Sequence, residues 1–162
     1  RHLITALAEL DSSNAYCVLH HLRDGNNKTP APNFMRVNTL TPSHHRFEPW
    51  TLGVELLPHR LDILHSPDMI PPRFGAQRHI ITIHDLHFLH YPQFMTVASR
   101  GYYIDRIAWA VRHVDHILVD SQATFNDLTA LLEVPPDKMT LHALGVNDAF
   151  RPLPGQIGRA HV

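Results

Sequence analysis

The stretch Ile80-Ile-Thr-Ile-His-Asp-Leu-His-Phe-Leu-His90 restricts the fold more than any other part of the chain. A strand buried on both faces of a parallel sheet reads as a near-continuous β-branched run, and Ile80 to Ile83 fit that pattern. The run breaks off at His84 and Asp85. Around it, strand-like and helix-like segments alternate. Residues 1–10 have helical spacing, with Leu3, Ile4, Leu7 and Leu10 on one face. Residues 15–19 and 34–40 read as strands, separated by the breaker-rich Asp24-Gly-Asn-Asn-Lys-Thr-Pro-Ala-Pro32. Residues 47–57 read as a helix with Pro49 in its first turn, and 61–64 as a strand. In 97–114, Val97, Ile104, Ile107, Ala108, Val111 and Val114 recur at helical spacing, with Arg100, Asp105, Arg106 and Arg112 outward. Residues 116–119 form a strand, 122–133 a helix with Phe125, Leu128, Thr129 and Leu132 inward, and 139–144 a last strand ending at Gly145. Such alternation predicts an α/β fold: a parallel sheet with helices on both faces.

In open sheets of this kind ligands bind outside the carboxyl ends of the strands. That address selects His84 and Asp85, His65 and Ser66 after 61–64, Ser121 after the 116–119 strand, and Gly145 after the last one. A metal site is the competing reading of His84, His87 and His90. Their i, i+3, i+6 spacing fans across a helix and alternates across a strand, so convergence on one ion at about 2.0–2.1 Å is disfavoured. His87 and His90 are expected to be loop residues. For His84 itself the plain alternative is an imidazole satisfied by a backbone partner.

Composition narrows the partners. The 162 residues are 44% hydrophobic and 18% charged, enough to bury a core. Fourteen Lys and Arg against fifteen Asp and Glu leave a net charge of -1, with no basic field to hold a nucleic acid. One cysteine, Cys17, excludes an internal disulfide framework and favours a cytoplasmic setting. No apolar run approaches the roughly 20 residues of a membrane span, so any membrane contact is peripheral, at the cytoplasmic face.

Several ordered pieces carry a family resemblance: Asp62-Ile-Leu-His65 followed by Pro71-Pro72, Ile81-Thr-Ile-His-Asp-Leu86, Asp115-His-Ile-Leu-Val-Asp-Ser121 with Ala123-Thr124 and Asp127-Leu128, Val134-Pro-Pro-Asp-Lys138, and Gly145-Val-Asn-Asp-Ala-Phe150. Together they resemble the N-terminal domain of family 4 glycosyltransferases of the GT-B fold, in particular its mannosyltransferase-like members. The resemblance is specific over 61–150 and looser over 1–60.

It implies a Rossmann-like domain, one half of a GT-B architecture, spanning 1–150 on the acceptor side. The implied reaction is retaining transfer of a mannose- or glucose-type sugar from a nucleotide-sugar donor to an acceptor hydroxyl. The acceptor would be a glycan or glycolipid, and the reaction needs no cofactor and no obligatory metal. By position, His84 takes the active-site histidine and hydrogen-bonds the transferred sugar or departing phosphate. Asp85 orients that histidine or its loop, or serves as a turn residue. Ser121 and Thr124 open a helix onto the cleft, with simple N-capping the alternative. His65 and Ser66 line the acceptor side.

The family's donor-binding residues belong to a C-terminal domain beyond the linker Arg151-Pro-Leu-Pro154, and its first strand and glycine-rich loop precede Arg1. The resemblance therefore implies a chain truncated at both ends and inactive alone. Residues 157–162, Ile-Gly-Arg-Ala-His-Val, match the translation of a common sequencing adapter, so 151–162 is read as the start of the linker followed by a non-native tail. Two other classes share this sheet pattern: a non-transferase GT-B enzyme such as a sugar-nucleotide epimerase, and a flavodoxin-like binding domain. The latter would need its own phosphate loop, and the chain has no Gly-x-Gly-x-x-Gly or Walker segment.

Overall fold

The computed structural model describes residues 2–25, 29–43 and 45–145. The expectations for the linker and tail at 151–162, and for the last motif past Gly145, fall outside them. Within them the order is α1 (His2–Leu10), β1 (Tyr16–His21), β2 (Phe34–Thr39), α2 (Glu48–Leu56), β3 (Leu61–Ser66), β4 (Ala76–Ile83), α3 (His87–His90), α4 (Val97–His113), β5 (His116–Val119), α5 (Gln122–Leu132) and β6 (Met139–Leu141). All strand pairs are parallel. The fold is Rossmann-like α/β, with parallel sheets flanked by helices.

The strands form two sheets, β1-β2 and β3-β4-β5-β6, where one was expected. No strand among the described residues bridges β1 and β3, so each keeps an unpaired edge. The crossover from the smaller sheet to the larger runs through α2, and the Glu55 carboxylate of that helix accepts from the backbone amides of Leu40 and Thr41 and from the Thr41 hydroxyl. These bonds tie the end of β2 to the helix and hold the glutamate carboxyl below its usual range although burial opposes them.

The core lies between the larger sheet and α4 and α5. Ile81 and Ile83 of β4, and Ile117 and Val119 of β5, alternate onto one face and meet Ile107, Ala110, Val111 and Leu128. Fully burying one such aliphatic side chain contributes about 1.5–3 kcal/mol. The face of α4 begins later than its periodicity predicts. Val97 is 90% exposed, because packing starts at Tyr103 and Ile104, a turn and a half into the helix. In α5, Thr129 is also exposed and its hydroxyl donates to the Phe125 carbonyl one turn back, while Thr124 takes a buried position. Arg106, expected in solvent, is half-buried over the Tyr102 ring. His87 and His90 form a short helix instead of a loop. β3 continues through His65 and Ser66, and β6 ends at Leu141, short of 144.

Helix ends follow local chemistry. Thr96 caps α4 by accepting from the Ser99 amide, and Ser121 caps α5 by accepting from the Thr124 amide. Glu133 then takes a left-handed conformation, φ 54°, and Pro135 and Pro136 prevent continuation of α5. Among the described residues, no helix is long and apolar enough to cross a membrane.

Candidate functional site

At the carboxyl edge of β4 and β5 lies a cavity of about 360 Å3. Its lining includes His84 and Asp85 after β4, His87 and His90 of α3 with Tyr91 just after it, and Ser121, Thr124 and Asp127 from the start of α5. β4 delivers His84 because its buried Ile83 pins the strand up to the last residue before the histidine. The imidazole is then 57% exposed, and its Nδ1 lies 2.7 Å from Oδ2 of Asp120, which is only 10% exposed. Asp120 follows β5, the strand paired with β4 through Ile83 and Val119. Two adjacent strand ends thereby build a His–Asp pair. The hydrogen bond to Asp120 pushes the His84 imidazole above its ordinary range. Burial opposes this, and the Asp120 charge, the Pro67 carbonyl and the Asp68 charge add to it. The contact with Asp120 biases His84 toward its protonated form.

The backbone behind the histidine is also fixed. The Thr124 hydroxyl donates to the His84 carbonyl at 2.8 Å and has no second proton to give. Ser121 Oγ, 2.8 Å from Thr124 Oγ1, therefore donates to it while accepting from the Thr124 amide at 3.1 Å. α5 is locked onto the His84 peptide by this relay. Ser121 and Thr124 thus act first as cap and clamp. A second pair, His90 Nε2 to Asp127 Oδ2 at 2.7 Å, closes the other side, and the His87 ring lies 4.8 Å from that of Tyr91. Among the described residues, no three His, Cys, Asp or Glu side chains are arranged to hold a metal ion.

The expected residues divide. His84, Asp85, Ser121 and Thr124 come together in one cavity; His65, Ser66 and Gly145 do not line it. His65 sits in β3 with its Nε2 2.8 Å from the Thr82 hydroxyl. Thr82 alternates away from Ile81 and Ile83, so this pair occupies the face opposite the α4–α5 core. Burial, then the charge of His142, depress the His65 imidazole below its usual range. Asp85 does not orient His84. Its Oδ1 accepts from the His87 amide at 2.9 Å, which shapes the loop into α3. Asp120, Asp127, His90 and Tyr91 were not anticipated. Asp120 was within reach of the strand-end rule that selected its neighbour Ser121, and Asp127 lies one turn beyond Thr124 on the same face of α5.

The family model described as Glycosyltransferase Family 4 matches residues 2–150. The chain belongs to glycosyltransferase family 4. A comparison with curated proteins returns no match. Glycosyltransferase family 4 membership accounts for the parallel α/β architecture and means that transfer of a sugar from a donor to an acceptor is the family's chemistry. The His84 cavity stands at the carboxyl ends of the strands, where open α/β sheets bind ligands.

Proposed function

We propose that this chain is the acceptor-side domain of a retaining glycosyltransferase, working in the cytoplasm with at most a peripheral contact at the membrane face. It moves a mannose- or glucose-type sugar from a nucleotide-sugar donor to the hydroxyl of a glycan or glycolipid in polysaccharide, glycan or glycolipid biosynthesis. The observation that carries the reading is the His84–Asp120 pair, an imidazole biased toward its protonated form and presented in an open cavity at the end of β4. During transfer the bond from the anomeric carbon to the donor phosphate breaks, and a bond to the acceptor oxygen forms on the same face. The acceptor proton leaves with the departing diphosphate. Negative charge develops on that phosphate, and a cationic N–H donor held by a buried carboxylate stabilises it in the transition state. Asp120 is the positioning residue; Thr124 and Ser121 keep the His84 peptide in place. The residues that bind the nucleotide reside in a partner domain after the linker, and the chemistry requires no metal.

The test uses the intact protein. His84→Ala should lower transfer roughly a hundredfold or more with an unchanged melting curve, and Asp120→Asn should lower it less, while exposed His59→Ala has no effect. Chelation with EDTA should leave the rate unaltered. Product analysis by NMR should show a glycoside with the donor's anomeric configuration. Full-rate transfer by His84→Ala would remove the histidine from the reaction, and an epimerised free sugar nucleotide as product would assign the domain to an epimerase instead.

A further inference from the structure

A second concavity, about 350 Å3, lies among the start of α2, the middle of α4 and the loop that leaves β3. Arg46, Arg73 and Arg106 converge on it. The Arg73 guanidinium lies over the rings of both Trp50 and Trp109, 4.6 and 4.4 Å from their centroids. Arg106 lies over Tyr102 at 3.9 Å, and Arg46 over Phe47 at 4.4 Å. Stacking holds a guanidinium by its face and leaves the in-plane N–H groups available. Of these, Arg106 Nη2 donates to the Arg46 carbonyl at 2.7 Å. The ion pairs found among the described residues involve none of the three arginines, and Asp105 is the one carboxylate in the lining. The buried Tyr102 hydroxyl, in the same wall, has no hydrogen-bond partner.

We propose that this cavity is a binding site for a phosphorylated small molecule, a phosphate monoester or diphosphate with an organic body. In the lining itself three guanidiniums face the single carboxylate of Asp105, with the Glu48 and Asp68 charges acting on Tyr102 from outside it, and planar forks match phosphate oxygens two at a time. The stacking removes rotamer freedom before binding, so less is lost when a ligand arrives. Trp50, Trp109, Pro49 and Pro71 provide apolar walls for the organic part. The site is separate from the His84 cavity and does not depend on the transfer reaction proposed for it.

The only two tryptophans of the chain, Trp50 and Trp109, both line this hollow, so the fluorescence of the unaltered protein reports its occupancy. Inorganic pyrophosphate, titrated at constant ionic strength, should change the emission saturably. Arg106→Gln and Arg46→Gln should each weaken the response about tenfold, as loss of a charged hydrogen bond does. Arg78→Gln, whose partner is Asp115 on another part of the sheet, should leave it unaltered, and so should His84→Ala. Phosphatidylcholine vesicles carrying phosphatidic acid form the second arm. Saturation by these vesicles with none by pyrophosphate would place the phosphate on a lipid headgroup, and the reverse on a soluble ester. The proposal is overturned by no saturable change with either probe, by undiminished affinity in Arg106→Gln, or by loss of the response in His84→Ala. The wild-type titration remains decisive if a substituted protein melts.

Discussion

His84 and His65 sit near the ends of adjacent strands and are driven in opposite directions. Asp120 raises His84, so the pair's contribution to stability is complete below the unfolded histidine value of about 6.5 and declines as pH rises through the elevated folded value. Burial lowers His65, so its contribution is present above about 6.5 and disappears as pH falls through the depressed value. NMR titration of the imidazole protons should give midpoints on either side of the ordinary value, with Asp120→Asn moving the His84 midpoint down. The reverse ordering would mean that the 2.7 Å contact does not persist in solution. Thr124→Val keeps the shape and deletes the donor to the His84 carbonyl. It should cost about 1 kcal/mol, since a part-buried acceptor loses its partner, and denaturant unfolding measures the loss. Strand-end reasoning found His84, Asp85 and Ser121 of this cavity, to which the family resemblance added Thr124. It overlooked Asp120 because an aspartate before an N-cap reads as ordinary turn chemistry until the neighbouring strand places a histidine beside it.

Among the elements, α4 shows how far periodicity reaches. Its span and most of its inward positions follow from spacing, and Ile107, with 0% exposure, is the centre of its buried stripe. Ile107→Asp would bury a carboxylate with no partner and should abolish the cooperative unfolding transition seen by circular dichroism. Val97→Asp should remain within about 0.5 kcal/mol of wild type, because the first turn projects past the core. The glycines separate in the same way. Gly75, at φ 115°, would place a Cβ 2.8 Å from Leu56 Cβ and 3.1 Å from the Gly53 carbonyl oxygen, so Gly75→Ala is strained twice. Gly101 lies inside α4 with nothing within 4 Å of a built Cβ, and Gly101→Ala should stabilise the helix by about 0.5–1 kcal/mol. Thermal melts of the two variants should move in opposite directions.

Over the whole molecule the two sheets differ in burial. β4 and β5 carry fully buried isoleucine and valine, whereas β1 has no buried residue and α1 none. Hydrogen exchange should therefore be slowest in β4 and β5, while β1 and α1 open locally at much lower free energy. Equal protection in both sheets would show that they unfold as one unit.

Most strand and helix identity was legible in the sequence because it depends on periodicity and on local signals within a few positions, such as Ser121 ahead of α5 and Pro49 in the first turn of α2. The carboxyl-edge rule then located His84, Asp85 and Ser121 without knowledge of any contact, and the family resemblance added Thr124. Which strands share a sheet, and on which face a strand-end side chain emerges, depends on partners far along the chain. His84 and Asp120 are 36 residues apart, and His65 meets Thr82 on the face away from α4 and α5 because register fixes which alternating side chains are neighbours. Only the tertiary structure could split the strands into two sheets, bring Asp120 against the histidine, and gather three stacked arginines from α4 and from the segments beside α2 and β3. These outcomes are sums of long-range packing and hydrogen bonding, which no local window of sequence contains.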